Sequence, residues 1–279
     1  MIAISHQQPV QLTQWVSRLT ASNAGPMTGP GTNSYLVGSQ SLAIIDPGPA
    51  DQAHIDNLLA AVGDRLKWIL VTHTHPDHSP AAQALAAATG AKVMGNKLLD
   101  NDGFQDDSFC PTHQFVHDEC LATEEFTIRA LLTPGHVDNH ICYLVEEDAV
   151  LFTGDHMMQG STVVIIPPHG DMKDYIDSLS LLLDYPIAAI APGHGYLMEN
   201  PEQEIRGLIE HRLGREDKVV ACLQRCGKIH LDELVPLVYD DVDSSLHPIA
   251  AYSLLAHLIK LEKEQRAQQQ QQDYWSLTG

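Results

Sequence analysis

At 279 residues, with 44% apolar side chains, the chain is long enough for one to two domains and can bury a core. Residues 1–200 hold 7 Lys and Arg against 23 Asp and Glu, and residues 201–279 hold 9 against 13, so neither part has the basic footprint that a phosphate backbone demands. No stretch of bilayer length is free of charge or proline, the opening residues lack a secretory pattern, and five cysteines form no even framework, which together predict a cytoplasmic protein with no membrane partner.

In chain order, residues 35–37 and 42–45 read as a hairpin around Gly38. Residues 51–62 read as a helix with Ile55, Leu58, Leu59 and Val62 on one face and Gly63 ending it. Residues 68–72 are a buried strand; Ser79 as N-cap, Pro80 in the first turn and Gly90 as the stop frame an Ala-rich helix. The stretch 101–125 has no period and reads as a covering loop, with His113 and His117 solvated. Further strands are expected at 126–132, 141–145, 149–153 and 187–191, and a helix from Asp171 with Tyr175, Leu179 and Leu182 facing inward. Beyond residue 200 the pattern becomes helical, at 202–226, 231–239 and 246–264. Cys222 and Cys226 read as buried thiols of the first of these helices, and the glutamine run 268–272 as a loop or wing tip before Tyr274-Trp275. Three helices and a terminal hairpin look like a winged-helix module, which predicts domains at 1–200 and 201–279.

The chemistry concentrates in four motifs that each follow an apolar strand. THTHPDH supplies His73, His75, Asp77 and His78 in a tight turn where Pro76 limits the backbone. His136 lies in TPGH, Asp155 in TGD and His194 in APGHG. Imidazole nitrogen and carboxylate oxygen suit zinc, and in layered α/β folds strand ends are where sites converge. Two metals could share one water, lower its pKa toward about 7 and polarise a scissile carbonyl or phosphoryl oxygen, so that a hydroxide attacks with no Ser or Cys nucleophile. Asp77 could also orient that nucleophile or pass a proton. The set contains no cysteine and tolerates iron or manganese as well.

THTHPDH, TPGH, TGD and PGHG, with IIDPG upstream, resemble the metallo-β-lactamase superfamily in order and spacing. The resemblance implies an αββα sandwich with two Zn2+. It implies His73, His75 and His136 on one metal, Asp77, His78 and His194 on the other, Asp155 as the bridge and Asp46 orienting ligands from behind. The tail HPIAAYSLLAHLIKLEKE, with GSTVV after TGD, resembles the beta-lactamase-like hydrolase subgroup with a C-terminal winged helix, which includes a mitochondrial endoribonuclease and admits a homodimer. Around the motifs, alternation turns His156 away from the metals, His140 reads as a rim histidine or a partner of a ligand carboxylate, and His169 as cleft-lining. Gly31-Thr32-Asn33 resembles the family's GTN turn, with Asn33 structural.

Three functions follow. Hydrolysis of a small ester, thioester or lactone leads, because an acidic catalytic half suits a small substrate held by metals. Cleavage of single-stranded RNA is second, permitted by the subgroup and disfavoured by charge. A metal-binding sensor or DNA-binding regulator is third, since Lys260, Lys263 and Arg266 are interleaved with Glu262 and Glu264 and form no phosphate-facing stripe.

Overall fold

A strand sends successive side chains to opposite faces, and in the first part of the chain that alternation feeds two cores at once. A computed structural model of the protein describes residues 2–98 and 103–278. The first sheet runs in sequence order: β1 (Val10–Gln11), β2 (Val16–Thr20), β3 (Asn33–Val37), β4 (Leu42–Ile45), β5 (Leu66–Leu70) and β6 (Lys92–Met94). On the hairpin β3–β4, Tyr35, Val37, Ala43 and Ile45 enter one core, and Leu36, Leu42 and Ile44 the other. The outer core is closed by α1 (Gln52–Val62) through Ile55, Leu58 and Val62, and by α2 (Ala81–Thr89) through Leu85. Asp51 caps α1 by accepting the His54 amide, and Gly63 and Gly90 stop the two helices as expected, Gly90 in the left-handed region. Ser79 departs from its expected role. Pro80 holds the N-cap position; the amides of Ala81 and Ala82, which a Ser79 side-chain cap would serve, donate instead to the Gly48 and Ser79 carbonyls, while the Ser79 hydroxyl donates at 2.6 Å to Asp106.

The second sheet has the order β11-β10-β9-β8-β7. Its members are β7 (Glu119–Ala122), β8 (Thr127–Leu132), β9 (Ile141–Val145), β10 (Val150–Gly154) and β11 (Ala189–Pro192). The inner core lies between the sheets, where Tyr35 meets Phe152 edge-on at 4.9 Å and Trp68 meets Phe126 at 6.0 Å. β7 corrects the loop expected over 101–125, since residues 119–122 pair antiparallel with β8. Residues 101 and 102 of that segment lie outside the described residues. His113 is not simply solvated: it is 2.7 Å from Glu119. His117 is exposed and accepts the Leu132 amide.

The chain groups into two compact units. The first holds Met1–Thr133, Asn139–Thr162 and Pro186–Pro201, with both sheets; the second holds Pro134–Asp138, Val163–Tyr185 and Glu202–Gly279. The second contains α3 (Met172–Leu182), capped by Asp171, then α4 (Pro201–Cys226), α5 (Leu231–Val238) and α6 (His247–Lys263). A small sheet of β12 (Ile229–His230), β13 (Ala267–Gln270) and β14 (Tyr274–Leu277) runs in the order β12-β14-β13. Trp275 is fully buried against Leu234, Leu254, Leu258 and Leu261. Gln268, Gln269 and Gln270 are strand residues paired with Ser276, Trp275 and Tyr274, so only the end of the glutamine run makes the turn. Cys222 is buried, but Cys226, the last residue of α4, is exposed.

Candidate metal centre

Strand ends bring the polar motifs together. Asp46 follows β4, the THTHPDH turn follows β5, Asp155 follows β10, and His194 lies just past β11. The strand expected at 68–72 leaves the ladder after Leu70, because a carboxylate captures its last donors: the Thr72 amide and hydroxyl each donate to Asp46 at 2.8 Å.

Within the two-sheet unit, one donor atom each of His73, His75 and Asp155 lies within 4.8 Å of the others, and so do donors of Asp77, His78 and His194. Either group could hold a metal ion. The Asp155 Oδ1 atom is 3.3 Å from His78 Nε2 and 3.2 Å from His194 Nε2, and Asp77 Oδ2 is 3.4 Å from both nitrogens. These separations are long for strong hydrogen bonds. They match the roughly 3.3–3.4 Å between neighbouring donors on a tetrahedron with bonds of about 2.0–2.1 Å, the geometry of zinc on nitrogen and oxygen. The donor set therefore fits a divalent ion. Asp155 is grouped with His73 and His75 while its Oδ1 faces His78 and His194. His136 lies in the short segment of the second unit, where its Nδ1 donates to the Val164 carbonyl at 2.8 Å, so Nε2 carries the lone pair.

The family model described as the metallo-beta-lactamase superfamily matches residues 27–194, more than half the chain. The chain belongs to the metallo-β-lactamase superfamily. A beta-lactamase associated winged helix domain matches residues 231–275. The "Beta-lactamase-like protein 2 homolog" of Drosophila melanogaster is 33% identical over 275 residues, spanning 91% of this chain and 90% of that protein. A metallo-beta-lactamase family protein from Thermus thermophilus superposes with a TM-score of 0.78 at 22% identity, over 96% of this chain and all of the other. A structure solved in a di-iron-bound form is 26% identical with a TM-score of 0.54, over 70% of this chain and 96% of that one.

In this superfamily member the imidazole tautomers are set from behind. Asp46 also accepts from His78 Nδ1 at 2.8 Å. Because the Thr72 hydroxyl gives its proton to Asp46, it accepts from His73 Nδ1–H at 3.0 Å. His194 Nδ1 points to the Gly31 carbonyl at 3.3 Å. All three rings thereby present Nε2 as the ligand atom. His78 Nε2, fully buried, makes no hydrogen bond of ordinary geometry, as a nitrogen reserved for an ion would. Burial, with His78 and His75 adding to it, holds His73 well below the ordinary imidazole value. For His78, burial opposes charge, but the carboxylates of Asp77, Asp155 and Asp46 outweigh it and raise it well above that value. His194 also rises, burial being outweighed chiefly by Asp155. Asp155 is held low by His194 and His78 against its own burial.

Of the neighbouring histidines, His140 is buried and does not lie on a rim. His140 is 1% exposed, its Nδ1 is 3.0 Å from the Thr133 hydroxyl, and its ring stacks on His73 at 5.2 Å. His156 is fully buried, with its ring 5.6 Å from that of His140. His169 pairs with Asp138 at 3.0 Å in the second unit. The loop bearing His194 is held by residues the motifs did not single out. The guanidinium of Arg18, 1% exposed, donates to the Gly195, Ile2 and Ala3 carbonyls, while Tyr35 donates to Pro192. Asn33, structural as expected, donates to Pro192 and Gly195. An arginine inside a buried strand was the one available signal. Gly193 is required by space, since a Cβ there would sit 2.8 Å from both Asp155 Oδ1 and His78 Cε1.

Proposed function

We propose that the chain is a dinuclear metal-dependent hydrolase of small esters, thioesters or lactones. In this reading His73, His75 and His136 hold one metal, Asp77, His78 and His194 the other, and Asp155 bridges them. The observation that carries it is the 3.2–3.4 Å spacing of Asp77 and Asp155 oxygens around two Nε2 atoms whose tautomers are already set for ligation. Zinc leads, and the likeness to a chain solved with two irons supports iron as an alternative. A bound pair of divalent ions supplies Lewis acidity toward water and toward the scissile carbonyl oxygen. The chain's own residues orient and exclude. Asp77, with its side chain 25% exposed against 15% for Asp155, is the carboxylate placed to receive a proton from attacking water. His73 and His78 are fully buried and shut solvent out behind the reacting face.

The substrate class follows from where the cations go. Arg18 is buried against carbonyls, Arg65 lies on the Val62, Ala61 and Ser39 carbonyls, and Arg129 pairs with Glu146 and Asp118. A small, weakly charged ester suits such a unit better than a polyanion. No helix among the described residues is long and apolar enough to cross a membrane. Residues 1–200 carry this activity in our assignment, and residues 201–279 serve as a packing and interface module. The test is a panel of thioesters, lactones, esters and unstructured RNA, assayed with metal-loaded wild type and with Asp155→Ala. Turnover of a carbonyl substrate that vanishes in the variant supports the proposal; cleavage of RNA alone overturns the substrate class.

A further inference from the structure

Asp77 is held by a hydroxyl whose own direction is forced. Thr32 is fully buried and its backbone bridges to His194, 162 positions away in the chain. The Thr32 Oγ1 atom lies 2.7 Å from Asp77 Oδ2, the same oxygen that faces His78 and His194 at 3.4 Å. Asn23 grips Thr32 at two points: its Oδ1 accepts the Thr32 amide at 2.8 Å, and its Nδ2 donates to the Thr32 hydroxyl at 2.9 Å. The backbone amide can only donate, so the carboxamide orientation is settled and its NH2 must face the hydroxyl. A hydroxyl that receives a proton from Asn23 has one left to give, and the acceptor in line is Asp77.

We propose that Thr32, locked by Asn23, is a positioning residue that presents Asp77 Oδ2 to the metal held by His78 and His194. The inference rests on the dinuclear reading and deepens it. The hydroxyl fixes the rotation of the Asp77 carboxyl group and selects which oxygen faces the two imidazoles. Without it the carboxylate can turn, and the second metal loses a donor held in register. The effect is local, because the carboxylate that Thr32 holds belongs to the group with His78 and His194 and not to the group with His73 and His75.

The experiment is a zinc titration of the metal-free full chain against a chromophoric chelator, with a thermal melt as the folding control. Wild type takes two equivalents. Thr32→Val keeps the shape and removes the hydroxyl; one equivalent binds as in wild type and the other about 10–100-fold more weakly, the usual scale for losing a group that orients a ligand. Thr32→Ser restores the weakened site to within about threefold, since it keeps the hydroxyl. Should Thr32→Val fail to fold, Asn23→Ala serves: the freed hydroxyl can rotate, and the same single site weakens by about threefold to tenfold. Unchanged zinc binding in a folded Thr32→Val, or in Asn23→Ala where Thr32→Val does not fold, overturns the inference while leaving the dinuclear reading intact. Equal weakening of both equivalents with a lowered Tm also overturns it, as a general structural lesion. Fewer than two equivalents in wild type sinks the dinuclear reading and this inference together.

Discussion

Replacing Asp46 with Asn tests whether one buried carboxylate sets the ligand tautomers. Asp46 is 2% exposed and receives three hydrogen bonds of 2.8 Å, from the Thr72 amide, the Thr72 hydroxyl and His78 Nδ1. Asparagine keeps the shape but turns one oxygen into an NH2, and neither orientation fits. With the NH2 toward the Thr72 amide, two donors confront each other and a buried N–H is left without an acceptor, which costs about 1–3 kcal/mol. With the NH2 toward His78, the ring must accept at Nδ1 and therefore carry its proton on Nε2, the atom meant for the metal. The expected result is a fall in Tm of about 2–4 °C for each kcal/mol lost, together with zinc affinity at the His78 site reduced about 10–100-fold. Thermal melts of metal-free protein and a zinc competition titration read the two effects separately. Asp46→Asn that melts like wild type and binds both equivalents within about twofold of it would falsify the tautomer argument.

Three further outcomes are expected. Gly193→Ala should fold but lose metal, because its Cβ would press within 2.8 Å of Asp155 Oδ1 and His78 Cε1; metal analysis finding two equivalents per chain would contradict this. The carboxylates around His78 and His194 raise the affinity of both rings for a proton, so zinc competes with protons there and apparent zinc affinity should drop as pH is lowered, with proton release on binding. Calorimetry in buffers of different ionisation enthalpy measures that release, and a pH-independent affinity would refute it. In the helical unit, burial pushes His257 down to about 4, and its nearest approach to Glu216, 3.9 Å, is too long for a hydrogen bond. The unfolded chain then binds a proton that the folded state refuses, so this group's stabilising share is present above about pH 6.5 and is lost as pH falls toward 4, a loss of about 3 kcal/mol at most. Urea melts of His257→Leu should show a flatter acid branch than wild type; identical slopes would count against it.

What could be read along the chain was whatever leaves a local, repeating trace. The hairpin of β3 and β4, the Asp51 cap and Gly63 stop of α1, and the long helices after residue 200 all follow from periodicity and capping chemistry over a few residues. The candidate ligands were legible for a similar reason, since four of them sit within six positions and the others end short glycine motifs. Edge strands such as β1, β6 and β7 were not legible: two to four residues span too few alternations to register, and they become strands only because a neighbour offers its free edge. Ser79 looked like a cap until backbone carbonyls, that of Gly48 among them, took the amides it would have served.

The finer chemistry of the site was decided by the tertiary structure alone. A histidine in the sequence offers either of two ring nitrogens; which one is left to bind a metal is decided when Asp46, 32 residues from His78, or the Gly31 carbonyl, 163 residues from His194, occupies the other. The same holds for Thr32 on Asp77, a contact across 45 residues that the Gly31-Thr32-Asn33 motif by itself does not specify. Residue type and spacing specify which donors exist, whereas the direction of a proton depends on what the fold places within about 3 Å of it, and that is a property of the assembled strand ends.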